Sequence, residues 1–175
     1  SLLLFAPNAL IIYAEIIGFT PGGGYVQKNY DYGFVCPKDG NYVYNENFGI
    51  KVYRITLTNV DGIVHEFSTQ EVQIWCKNHD LVPVNEYYYG KASKLYPEIV
   101  SSEDWTKDFI DKLANDKNFH MEEKSPSCKN KVPHEGIVIK IENMKSQAFK
   151  LKCFAFLDKK QKDLDKGVDD IEDNQ

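Results

Sequence analysis

A carboxylate and three lysines stand on two short stretches toward the end of the chain. Glu135 and Lys140 lie in EGIVIK, and Lys150 and Lys152 lie in FKLK. Their neighbours are mostly apolar, so each stretch reads as a strand. A sheet that buries one face rarely points several charges inward without a ligand to meet them. Ammonium groups act as point charges on phosphate oxygens, and a carboxylate can hold a divalent cation. The chemistry to expect is that of a phosphate-bearing ligand with a metal ion. Lys150 and Lys152 share a face by the two-residue period. Lys140 lies an odd number of residues from Glu135, so in a flat strand the two face opposite ways. Gly136, beside Glu135, is expected to let a ligand approach closely.

Two further residues stand out. Glu15 is the one charge in an apolar run, and is either an edge-strand carboxylate reaching solvent or a buried acceptor for a sugar hydroxyl or metal. Tyr53 lies on an alternating strand, and is either core packing or a platform for a purine face. Other chemistries find little support. The formal net charge is -5, so no global basic field advertises nucleic acid, although a local basic groove remains compatible with it. Cys36, Cys76, Cys128 and Cys153 form no C-x-x-C, and Cys76 with His79 has no second ligand pair. Reduced core thiols in a cytosolic protein are the expectation, hence a cytoplasmic location. His65, His79, His120 and His134 make no H-E-x-x-H pattern. There is no G-x-S-x-G elbow, and Gly22-Gly23-Gly24 lacks the Lys-Ser/Thr of a P-loop.

The elements that must position these residues follow from local pattern. Residues 9–17 (ALIIYAEII) read as a buried strand. Residues 32–37 and 42–44 flank Asp39-Gly40 as a hairpin. Residues 50–58 (IKVYRITLT) alternate as a strand, turned by Val60-Asp61-Gly62. Ser68-Thr69-Gln70-Glu71 is a capping box that opens a helix to about His79. Residues 81–89 read as a strand. A second helix begins near Ser101, with Trp105, Phe109, Ile110 and Leu113 on one face. Residues 122–133 are polar loop, and 135–141 and 148–156 are strands. The sum is an α+β domain with mainly antiparallel sheets and inserted helices. It spans residues 1–158, and 159–175 form a polar acidic tail or linker.

Taken in order, these pieces resemble the nucleotidyltransferase (ATP-grasp-like ligase) adenylation domain of ATP-dependent RNA ligases, most nearly the phage type-2 and RNA-editing-ligase branch. Tyr13-Ala14-Glu15-Ile16-Ile17-Gly18 resembles the family's third motif, with Ala14 where a Gly is usual. Residues 26–33 (VQKNYDYG) also look familial, as does the helix bearing Trp75-Cys76. Lys51-Val52-Tyr53-Arg54-Ile55 resembles the strand that stacks on adenine. Residues 135–140 resemble the fourth motif, and Lys150-Leu151-Lys152 resembles the fifth, Lys-x-Lys. The resemblance implies ATP and Mg2+ (or Mn2+) as cofactors and RNA ends, a 5'-phosphate and a 3'-hydroxyl, as substrates in RNA repair. It implies that Glu15 holds the ribose, Tyr53 stacks on adenine, and Glu135 binds the metal. Lys140, Lys150 and Lys152 would contact phosphates, with Glu135, Lys150 and Lys152 as the catalytic set.

The family's first motif, Lys-x-Asp-Gly, whose lysine takes AMP from ATP, does not occur. Lys38-Asp39-Gly40 is one residue short and follows the third motif. Asn59-Val60-Asp61-Gly62 has the spacing without the lysine. The expectation is that the N-terminal part of the domain, with this motif, lies before Ser1, where the chain enters an apolar run at once. A non-catalytic nucleotide- or nucleic-acid-binding module without the lysine is the alternative. DNA ligase or capping chemistry on the same architecture is a third. No membrane segment is expected.

Overall fold

The structure, a computed structural model, describes residues 7–38, 40–142 and 147–165. The opening apolar run, Asp39 of the expected hairpin, the 143–146 connection and residues 166–175 of the expected tail lie outside the described residues. The chain forms two compact units. The described part of the first comprises residues 7–26, 34–38, 40–85 and Glu142, and that of the second comprises 27–33, 86–141 and 147–165. Antiparallel sheets and a few helices make it an α+β fold.

In the first unit, strand β1 (Pro7–Gly18) pairs antiparallel with β2 (Phe48–Asn59). Strand β3 (Val64–Glu66) continues the sheet after a turn at Val60-Asp61. Asn59 closes that turn, its Oδ1 accepting from the backbone N–H of Asp61 and Ile63. Helix α1 (Thr69–Asn78) starts at the expected capping box, with Ser68 and Glu71 bonded reciprocally. Its Val72 and Cys76 cover Val52 and Ile55 of β2, and these four residues are the core of the unit.

The expected strand over 81–89 reduces to a two-residue strand β4 (Val82–Pro83), parallel to β2. Pro83 has no N–H for a ladder. The expected hairpin around Asp39-Gly40 does not form, because residues 32–38 carry no strand. The buried side chain of Asn47 organises this loop instead. Its Oδ1 accepts from Val43 N–H at 2.7 Å, and its Nδ2 donates to the Val35 carbonyl at 2.9 Å. Strand β1 is not buried as its apolar run suggested. It pairs on one side only among the described residues, and Leu10, Ile11, Ile12 and Ile16 are exposed.

In the second unit, a short helix α2 (Ala92–Leu95) and a 3-10 turn precede helix α3 (Trp105–Asn115). Leu113 is buried against Tyr96, Ile99, Phe119 and Met121, with Trp105 and Phe109 packed beside it, as the helical spacing implies. Strands β5 (Gly136–Ile141) and β6 (Gln147–Lys152) form an antiparallel pair. Ile137, Ile139 and Leu151 turn one face of that pair to the core.

The expected strand does not reach Phe156. The chain turns into helix α4 (Phe154–Asp165), which also takes up residues 159–165 of the expected tail. The cause is tertiary. The Glu122 carboxylate accepts from the first helical N–H, that of Phe154, at 3.0 Å, where a negative charge meets the positive end of the helix. Phe156 then packs on the core. Among the described residues, no helix is long and apolar enough to cross a membrane.

Candidate functional site

Glu135 precedes β5, and Gly136 follows it at a φ of 136°. A Cβ on Gly136 would lie 2.0 Å from the Leu151 carbonyl oxygen and 2.8 Å from the Lys152 Cα. The glycine is therefore required by the approach of β6 and by a backbone conformation that L side chains avoid. This differs from the expected reason, room for a ligand. The bend has a further effect. In a flat strand Glu135 would share the core-facing side of Ile137. Instead its Oε1 accepts an ion pair from Lys150 Nζ.

The ladder places all three lysines together. Gly136 pairs with Lys152, Val138 with Lys150 and Lys140 with Ala148, and directly paired residues share a face. Lys140, Lys150 and Lys152 thus project on the side opposite the core, with Glu135 brought round to join them. The premise that these charges point inward is corrected. The side chain of Lys150 is 48% exposed and that of Glu135 is 30% exposed. A two-stranded ribbon buries one face, and desolvating three ammonium groups on the other would be costly. Lys152 lies 5.6 Å from the centroid of the Phe156 ring, so helix α4 sets the direction of this side chain.

A second layer holds Glu135. Tyr32 O–H donates to Gln27 Oε1 at 2.6 Å, and Gln27 Nε2 donates toward Glu135 Oε2 at 3.5 Å. The segment carrying them is tied down by Tyr30 O–H on the Pro133 carbonyl at 2.9 Å and by Asn130 Nδ2 on the Asn29 carbonyl at 2.7 Å. Residues 26–33 stand out in the sequence only by resemblance, which assigns Gln27 and Tyr32 no role. No local pattern links them to a residue more than a hundred positions away. His134, beside Glu135, is buried, and burial holds its pKa below the ordinary value, so its imidazole favours the neutral form. Its Nδ1–H donates to the His120 carbonyl at 3.2 Å.

The first unit positions Tyr53 and Glu15. The β1–β2 register slips between Tyr13 and Ala14. Tyr13 pairs with Arg54 and Ala14 with Val52, leaving Tyr53 as the extra residue of a bulge. The bulge restores parity across an odd step, so that Val52 and Ile55 both face the core while Tyr53 is 46% exposed. Core packing is therefore not the role of Tyr53. Its ring centroid is 6.4 Å from that of Tyr13, and Arg54 lies over Tyr13 while pairing with Glu66 at 3.0 Å. Glu15 is exposed and stands across from Lys51 in the ladder. The buried-acceptor reading of Glu15 is corrected, because the strand that carries it is itself at an edge.

Among the described residues, no group of three or more His, Cys, Asp or Glu side chains is placed to hold a metal ion. His79 stacks on Trp75 at 3.9 Å and Cys76 is buried, so they form no ligand pair. A single carboxylate such as Glu135 suits Mg2+, which keeps most of its waters and is bound through one or two carboxylates plus substrate phosphates. No known protein family, curated protein or solved structure matches the chain.

Proposed function

We propose that the lysine face of β5–β6 binds the phosphates of a nucleotide, and that the chain is the adenylation domain, or part of it, of an ATP-dependent RNA ligase. One observation carries this reading. Gly136 turns Glu135 out of its flat-strand direction and onto the face that bears Lys140, Lys150 and Lys152. A half-exposed ion pair contributes at most about 1 kcal/mol, so Lys150 can leave Glu135 for a stronger partner at little cost. A phosphate group offers the lysines a stronger partner, since several charge-assisted hydrogen bonds then form at once.

In this reading Lys150 exchanges Glu135 for a phosphate oxygen, Lys152 meets a second, and Lys140 lies at the rim. Such point charges stabilise the negative charge that moves between phosphorus centres when AMP passes to a 5'-phosphate and then leaves as a 3'-hydroxyl attacks. Glu135 would hold Mg2+, which would neutralise phosphate charge. Gln27 and Tyr32 keep the carboxylate oriented. A binding module without transfer chemistry is the second reading, and the residues before Ser1 discriminate: a strand bearing Lys-x-Asp-Gly supports the enzyme, a natural start without it the module.

Titration calorimetry with ATP and Mg2+ tests the reading. The folded chain should bind. Lys150→Ala and Lys152→Ala should each weaken binding at least about tenfold, given ~1.5–3 kcal/mol for a charged hydrogen bond. Unchanged affinity in the double variant would remove the proposed site. This chain, without the nucleophilic lysine, should form no covalent AMP adduct. In a parent chain that carries the lysine, transfer of labelled AMP to 5'-phosphorylated RNA would support the ligase over the module, and a preference for nicked DNA would point to the third reading.

A further inference from the structure

After β4 the chain does not continue as a strand, and residues 84–91 form an irregular segment. Within it, Tyr87, Tyr88 and Tyr89 are consecutive, and all three are exposed. This loop is held in a fixed shape at three points. The Tyr87 ring packs edge-on against Phe119 at 6.3 Å and His134 at 6.1 Å, both of them buried residues. Tyr88 O–H donates to the Lys91 carbonyl at 3.0 Å, closing the loop on itself. Gly90 has a φ of 158°, and a Cβ there would lie 2.7 Å from the Tyr88 hydroxyl and 3.1 Å from its Cζ. Only glycine lets Tyr88 lie back across the chain in this way.

The result is a pre-shaped surface on which Tyr88, laid back along the chain, and Tyr89 are 40% and 48% exposed. Tyrosine gives large contact area with few rotamers to freeze, so little ordering cost remains on binding. Glu86 stands before the tyrosines, so the cationic side of the surface is the one that follows them. Lys91 and Lys94 are exposed and follow at once, at the start and in the last turn of α2. Exposed aromatic rings beside lysines match single-stranded nucleic acid, whose bases stack on the rings while its phosphates meet the ammonium groups. We infer that the Tyr88–Tyr89 loop, with Lys91 and Lys94, is a docking platform for a single-stranded segment of RNA. The choice of RNA rests on the ligase reading, whereas the stacking geometry does not.

Fluorescence anisotropy with a short labelled single-stranded RNA, run alongside ATP calorimetry, tests this. Tyr88→Ala and Tyr89→Ala should each weaken RNA binding about five- to a hundredfold, the range for loss of one stacked base. Tyr89→Phe should stay within about twofold, since the ring is kept. Lys91→Ala with Lys94→Ala should lower the slope of log Kd against log salt by about one to two. ATP affinity should be unchanged in all of these variants, and near-UV circular dichroism should confirm their folding.

RNA affinity unaltered in the folded tyrosine variants, or no RNA binding by the unsubstituted chain, overturns the inference. ATP binding that fails in Lys150→Ala beside RNA binding indifferent to Tyr88 and Tyr89 would leave the ligase reading standing and remove the platform. Tyrosine-dependent RNA binding in a chain that ignores ATP would do the reverse. Equal affinity for DNA of the same sequence would support the platform and remove the choice of RNA.

Discussion

Replacing Gly136 by alanine should damage the protein more than any surface change in its neighbourhood. The new Cβ would enter a backbone at a φ of 136°, 2.0 Å from the Leu151 carbonyl oxygen. Holding a non-glycine residue there costs roughly 1–3 kcal/mol. Relieving the overlap requires β6 to retreat, which strains the packing of Leu151 and adds roughly another 1–3 kcal/mol. The sum is about 2–6 kcal/mol, a large share of the ~5–15 kcal/mol typical of folded domains.

Urea unfolding measures this. Trp105 stacks on Phe109 at 5.0 Å in the second unit, while Trp75 belongs to the first. In a Trp75→Phe background the fluorescence therefore reports the unit that contains the substitution. With a slope of ~2 kcal/mol per molar, the midpoint should fall by about 1–3 M. The same variant should weaken binding of ATP with Mg2+ under conditions where it remains folded, because Glu135 would no longer be held on the lysine face to take up the cation. A midpoint within about 0.3 M of the parent would refute both the strained glycine and the account of how Glu135 reaches the lysines.

Three further outcomes are expected. Asn47→Ala should destabilise the first unit by about 2–4 kcal/mol, because it leaves the Val43 N–H and the Val35 carbonyl without their partner; thermal melts and faster proteolysis near residue 43 would register it. Tyr96 keeps its proton above the usual phenol range, mainly because burial disfavours the phenolate and also because its O–H is held by Asp116 at 2.8 Å. That contribution is complete below the unfolded pKa of ~10 and is lost as pH rises through the higher folded value. Stability should thus fall above about pH 10, and Tyr96→Phe should flatten the fall in melts taken across that window. Burial pushes the Cys153 thiol up to about 11, with Glu122 adding to the rise, whereas Cys36 is exposed. A thiol-specific chromogenic reagent should label Cys36 rapidly and reach Cys153 and Cys76 only after denaturation, and early labelling of Cys153 would contradict its place in the core.

Local pattern carried much of the fold. The alternation of residues 50–58 and the apolar run of 9–17 both became strands, somewhat longer than expected. The capping box at Ser68 and the 3.6-residue stripe of Trp105, Phe109 and Leu113 mark helices because their signals lie within one or two turns. Failures occurred where a distant group decided. The Asn47 side chain satisfies backbone groups that would otherwise have sought a hairpin. The Glu122 carboxylate starts α4 where CFAF reads equally well as strand. An apolar run does not disclose whether a neighbour will cover it, so the exposure of β1 was invisible.

Sequence by itself determined which residue types were available: one carboxylate, three lysines on two adjacent strands, and a tyrosine on a third. Period two was enough to put Lys150 and Lys152 on one face. Tertiary structure decided the rest. The bend at Gly136 carried Glu135 to that face against the parity of a flat strand, and the ladder register added Lys140 to it. A bulge turned Tyr53 outward. The physical reason is common to these cases. Periodicity assumes an unbroken, flat element, whereas a positive φ or one extra residue reverses every direction beyond it, and both are fixed by how closely a partner strand approaches.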